Sequence, residues 1–209
     1  MLFRSIAAIA IPVVIGCITV ALIAGAVITR RLRISRRLAW LLVTGTAVCG
    51  CTAVVALSPV IRARHSETAF AVASVILFGC LGMLLYPWIA GELFASSATQ
   101  AGIFLGSAIH DTSQVIGAAL IYSQQHAAPE ALAAAGVTKF LRNLSIAVLI
   151  PAAAWLTREE GLVPGNPVAR ATVLPAFVVF FVLFIMTRTV GDHSGSRSEE
   201  RRVGKECRS

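Results

Sequence analysis

His110 and Asp111 stand side by side inside a long apolar run, and Thr112, Ser113 and Gln114 extend the polar stretch. An aspartate at the centre of a membrane helix costs roughly 2.5 to 3.5 kcal/mol on insertion scales, so it faces the bundle interior or a water-filled cavity. Histidine titrates near neutral pH, and intramembrane aspartates carry protons in relays. The pair therefore suits a proton-coupled or substrate-contacting role. The plainer alternative is a helix cap or a buried interhelical hydrogen bond. Adjacent residues on a helix do not face one another, which argues against a catalytic His-Asp pair. On a continuous helix Gln114 would share a face with each of them.

Two basic residues lie downstream, in VTKFLRNLSIAVLIPAAAWL. Lys139 and Arg142 are three apart and share one helical face. Either both snorkel to the membrane interface, or they neutralise Asp111 or draw an anion into a cavity. Pro151 is expected to kink the same helix.

An internal repeat supplies the other candidates. GTAVCGCTAVVALS (Gly45 to Ser58) aligns without gaps with GSAIHDTSQVIGAA (Gly106 to Ala119), at an offset of 61 positions. Both stretches put glycine and hydroxyl residues where leucine would favour a helix. Small residues alone allow close helix packing. Paired glycine-interrupted segments also mark unwound helices that line a transporter's binding site. On that reading Thr46, Cys49 and Thr52 join His110, Asp111, Thr112, Gln114, Lys139 and Arg142 as candidate substrate- or ion-binding residues. The repeats are parallel or inverted, depending on whether each interrupted segment crosses fully. Cys49-Gly50-Cys51 has no second ligand pair, so no metal site is expected. No P-loop, H-E-x-x-H or G-x-S-x-G occurs, so neither a cofactor nor an enzyme activity is expected.

The elements that must position these residues are apolar. The chain has 209 residues, 57% hydrophobic and 13% charged, against about 25% charged in a soluble domain. Mean hydropathy is +0.81. That composition excludes a soluble globule, a disulfide scaffold and a disordered body. Six apolar segments are read as membrane helices: Ser5 to Thr29, Leu38 to Ile61, Thr68 to Gly91, Leu93 to Tyr122 (interrupted at His110-Asp111), Asn143 to Thr157 and Ala171 to Thr187. They lack the two-residue alternation of barrel strands. The expected fold is all-α, a polytopic transmembrane bundle with two broken helices.

The formal charge is +8. Its densest cluster is Arg30, Arg31, Arg33, Arg36 and Arg37, between the first two segments. It has no aromatic residues for base stacking, so nucleic acid is not expected as a partner. Membrane lipids are, and the positive-inside rule makes this loop cytoplasmic. If every later segment crosses, Arg62 and Arg64 fall outside. Residues 191–209 read as a tail after a transmembrane domain at 1–190. Within it, RSEERRVGKECRS (197–209) reads as the translation of a sequencing adapter.

The motifs GTAVCG, PVIRAR (Pro59 to Arg64), AVASVILFGCLGMLLYP (Ala71 to Pro87), IHDTSQVIGAALIYS (Ile109 to Ser123) and TKFLRN (Thr138 to Asn143) together resemble the YeiH-type sulfate exporter family. The resemblance runs from about Arg30 to Phe184. It implies a multi-pass protein of the bacterial inner membrane. It also implies a fold like the cation–proton antiporters and bile-acid transporters, with crossed broken helices. The implied activity is secondary transport of a sulfate-like inorganic anion, with H+ or Na+ as coupling ion and a homo-oligomer left open. Family members extend beyond both ends, so this chain reads as a fragment. The competing class is a non-transporting membrane scaffold or intramembrane enzyme, which predicts no polar cavity at mid-depth.

Overall fold

The structure, a computed structural model, describes residues 2–159. These residues form eight helices: α1 (Leu2–Arg31), α2 (Arg36–Ala47), α3 (Cys51–Val60), α4 (His65–Leu93), α5 (Ala98–Ala108), α6 (Thr112–His126), α7 (Pro129–Leu144) and α8 (Ile146–Glu159). Three stretches are long and apolar enough to cross a membrane: Ile6–Arg31, His65–Leu93 and Pro129–Thr157. The sixth apolar segment and the polar tail lie outside the described residues.

The two breaks expected from the repeat fall at the same register. α2 ends at Ala47 and α3 starts at Cys51; α5 ends at Ala108 and α6 starts at Thr112. Each break is three residues, Val48-Cys49-Gly50 and Ile109-His110-Asp111. Local chemistry sets the limits. Ser35 caps α2 by accepting from Leu38 N at 3.2 Å. Asp111 caps α6 by accepting from Ser113 N at 2.9 Å. Gly50 precedes α3 at φ 65°, a conformation that side chains disfavour. The third long stretch is interrupted at Ser145, between α7 and α8, six residues before Pro151.

The broken segments do not continue through the break; each folds back. Gly45 on α2 touches Val54 on α3, and Leu41 shares a cluster with Leu57. Ser35, at the start of α2, donates to Glu67 Oε1 at 2.5 Å, in the first turn of α4. The start of α2 and the end of α3 are therefore at the same end of the bundle. In the second segment, α6 runs parallel to α4: Gly79 meets Gln114, Met83 meets Gly117 and Gly91 meets His126. Tyr86 on α4 and Phe104 on α5 pack with tilted rings, centroids 5.8 Å apart, across the turn that joins them. Hence α5 and α6 also form a hairpin, entered from the end where α4 finishes. The crossed arrangement expected above is replaced by two opposed hairpins. Two antiparallel limbs can share an apolar core, which a single crossing segment cannot do.

Each hairpin is followed by a helix parallel to its first limb. α2 lies along α4, with Gly45 against Val75, and α5 lies along α7. The second contact is close. A Cβ on Gly102 would strike the carbonyl of Ala131, and one on Gly106 would come 2.6 Å from the carbonyl of Ala135. Small residues at such a seam let backbones approach. Gly102→Val is expected to lower the yield of monodisperse, detergent-solubilised protein several-fold. Gly136 has nothing within 4 Å of an added Cβ, so Gly136→Ala should be tolerated. Size-exclusion profiles of the two variants check this. Outward faces carry large apolar side chains, among them Ile15, Ile23, Leu77, Leu84 and Trp88, as a lipid-facing surface requires.

Candidate functional site

The two tips meet. A Cβ built on Gly50 would lie 3.5 Å from the carbonyl carbon of His110. Both tips end a helix, and the last carbonyls of a helix have no intrahelical donor. α7 supplies the donors. Lys139 Nζ donates to Val48 O at 3.5 Å, to Ile109 O at 3.3 Å and to the carbonyl of His110. Arg142 donates from Nε to Ala47 O at 3.1 Å, from one terminal nitrogen to Thr46 O at 2.6 Å and from the other to the carbonyl of Ser107. Neither side chain snorkels: each is 1% exposed. Nor does Lys139 hydrogen-bond to Asp111, since its three N–H groups are matched by three carbonyls. The positive charges sit where the C-terminal ends of two helix dipoles concentrate negative potential.

The repeat is visible in these contacts. Thr46 aligns with Ser107, and both carbonyls receive Arg142. Val48 aligns with Ile109, and both carbonyls receive Lys139.

The remaining candidates divide. Arg142 also approaches His110 Nδ1, at 3.2 Å. An arginine only donates, so Nδ1 accepts and the ring proton is assigned to Nε2. Asp111 accepts from both the backbone and the hydroxyl of Ser113, at 2.9 and 2.5 Å. Thr112 Oγ1 accepts from Asn143 Nδ2 at 3.4 Å, while Asn143 Oδ1 is buried without a partner. Thr52 and Thr112, each in the first turn after a break, are exposed. Thr46 presents its carbonyl to Arg142, while its hydroxyl bonds back to Leu42 O at 2.9 Å. Cys49 is buried among Ala47, Val48, Ala53, Ile146 and Ile150, with the Thr52 side chain and the Ala53 backbone as its polar neighbours. Gln114 turns its Nε2 to Ile76 O at 3.2 Å and Cys80 Sγ at 3.4 Å, fastening α6 to α4. Ser107, Ser113 and Asn143 are not among the residues that sequence reasoning selects. The repeat signals two of them, since Ser107 aligns with Thr46 and Ser113 with Thr52, and leaves Asn143 unmarked.

A groove of about 960 Å³ leads to this cluster. It starts near Leu32 and Ile34, runs along α1 beside Gly25 and Val43, and ends at Thr46, Ser107, His110 and Arg142. Its walls are apolar and its floor is polar.

Long lipid-facing helices around broken helices and a buried cation pair define a helical membrane protein. Residues 3–198 match the family described as conserved hypothetical protein 698, and the chain belongs to that family. It is similar to the UPF0324 membrane protein RSc1111 of Ralstonia nicotianae, with 40% identity over 65% of this chain and 37% of the relative. It is similar to a UPF0324 membrane protein of Bordetella bronchiseptica, with 32% identity over 90% of this chain and 58% of the relative. The UPF0324 inner membrane protein YeiH of Salmonella typhi shares 30% identity over 72% of this chain and 42% of its own length. The chain thus spans about half the length of these relatives. No solved structure matches.

Proposed function

We propose that this chain forms the ion-binding core of a secondary transporter for a small sulfate-like anion, coupled to H+ or Na+, in the bacterial inner membrane. The observation that carries the proposal is the meeting of two hairpin tips at Lys139 and Arg142, at the end of the groove. Broken helices near the midplane offer free backbone groups to ions. The carbonyl ends of the two tips are already occupied by the cation pair. Of the two amide ends, that of α6 is capped by Asp111, which leaves the start of α3. α3 begins after Gly50, which brings no side chain to its first N–H groups, and such a helix start favours an anion. Asp111, the Thr112 hydroxyl and the unpartnered Asn143 Oδ1 are oxygen groups suited to a coupling cation or proton.

The test is sulfate and sulfite flux in proteoliposomes under an imposed proton or sodium gradient. Asp111→Asn keeps an acceptor for the cap but removes the charge. Gradient-driven flux is expected to fall at least tenfold, while gradient-independent exchange persists. Unchanged coupled flux would remove Asp111 from the mechanism.

A further inference from the structure

We infer that the two hairpins are re-entrant loops that enter the bilayer from opposite faces, with the α2–α3 hairpin and every arginine flanking it on the cytoplasmic face. The helix directions require the first part. α1 ends at Arg31, and α2 turns back beside it, with Gly25 of α1 against Val43 of α2. The Ser35–Glu67 bond joins the start of α2 to the start of α4, so the α2–α3 hairpin enters and leaves at one end. α4 then runs the length of the bundle. α5 starts where α4 finishes, and α6 returns there, with His126 beside Gly91.

The lengths agree. At about 1.5 Å per residue, limbs of 10 to 15 residues measure roughly 15 to 22 Å. That reaches the middle of a hydrocarbon core about 30 Å thick. Non-helical backbone at that depth is tolerated only when protein satisfies it. The hydrogen bonds from Lys139 and Arg142 meet that condition. One long helix with one re-entrant hairpin reverses the chain's direction once per unit. The repeat found in the sequence is therefore inverted.

Charge fixes the orientation. A crossing α2–α3 segment would part Arg62 and Arg64 from the cluster at Arg30 to Arg37. The hairpin gathers Arg30, Arg31, Arg33, Arg36, Arg37, Arg62 and Arg64 at one end of the bundle. The turns at the other end, around Glu92 to Ser97 and His126 to Glu130, hold no lysine or arginine; Arg4, in the first turn of α1, lies at that end. Short basic loops stay in the cytoplasm, where anionic lipid headgroups also attract them.

Single cysteines at exposed positions in the turns and the adjoining helix ends test this, in the full chain with its native cysteines changed to alanine. Leu32→Cys and Ser66→Cys lie at the arginine end, and Ser96→Cys and Gln125→Cys at the other. A membrane-impermeant maleimide is applied to intact and to lysed spheroplasts. Labelling in lysed spheroplasts shows that each variant is inserted and reactive. Leu32→Cys and Ser66→Cys are expected to label only after lysis, and Ser96→Cys and Gln125→Cys before it. Opposite accessibility of Leu32→Cys and Ser66→Cys would overturn the inference, and so would labelling of both in intact spheroplasts. Neither outcome depends on what the protein transports.

Discussion

With Arg142 replaced by methionine, the protein is expected to lose most of its folded, monodisperse population. The guanidinium serves Thr46 O, Ala47 O and Ser107 O, at the ends of two helices that the Lys139 ammonium also bridges. Methionine matches the bulk and removes every donor. A buried acceptor left unpaired costs about 1 to 3 kcal/mol. Three of them, partly relaxed, amount to about 3 to 5 kcal/mol, comparable with breaking a buried ionic contact. That is a large share of the roughly 5 to 15 kcal/mol that stabilises a typical domain. Arg142→Lys should rescue only part, because an ammonium is a point donor and cannot span both tips as a planar fork does. Lys139→Met should also destabilise. The double variant should lose less than the sum, because both side chains hold the same two tips. Apparent melting temperatures in detergent, read as loss of the monodisperse peak, give all four values. Near-wild-type behaviour of Arg142→Met would show that the tips are held by something else.

The second large effect is expected at Gly50. Its φ of 65° and ψ of −119° suit glycine alone. A Cβ there would also come 2.8 Å from Val75 Cγ1. Gly50→Ala combines backbone strain of about 1 to 3 kcal/mol with a steric clash against α4. The two parts can be separated. Gly50→Ala with Val75→Ala relieves the clash and leaves the strain, so it should recover part of the melting temperature and not all of it. Full recovery would mean that the backbone at this tip adapts freely. In the proposed transporter the change should also lower the sulfate affinity read in the flux assay, because the tip sits against His110.

The sequence made the breaks legible and left the path of the chain hidden. Gly45 and Gly106 align two segments, and the helix ends fall at matching residues in both. Lys139 and Arg142 are legible as a cationic face. Their partners are not, because backbone carbonyls leave no mark in residue types. An interrupted apolar stretch of this length fits a full crossing as well as a fold-back. The contacts that decide between them, Ser35 with Glu67 and Gly91 with His126, join residues far apart in the chain. Cys49 and Gln114 look polar and central, yet one packs among alanines and isoleucines and the other fastens two helices. Polarity at mid-segment indicates that a partner is needed, and it does not say whether the partner is a ligand or a neighbouring helix.

The cation pair is not duplicated. Lys139 and Arg142 both lie on α7, and α4, which follows the first hairpin as α7 follows the second, contains no lysine or arginine at all. Gly50 likewise aligns with Asp111 across the repeat. Two halves related by a pseudo-two-fold axis in the membrane plane therefore carry a buried cation pair in the second half alone. A carrier built this way would hold its ion with unequal strength when open to the two compartments. Net flow would still follow the gradients, but half-saturation on the two sides would differ, and the difference would trace to side chains that one half gained and the other lacks.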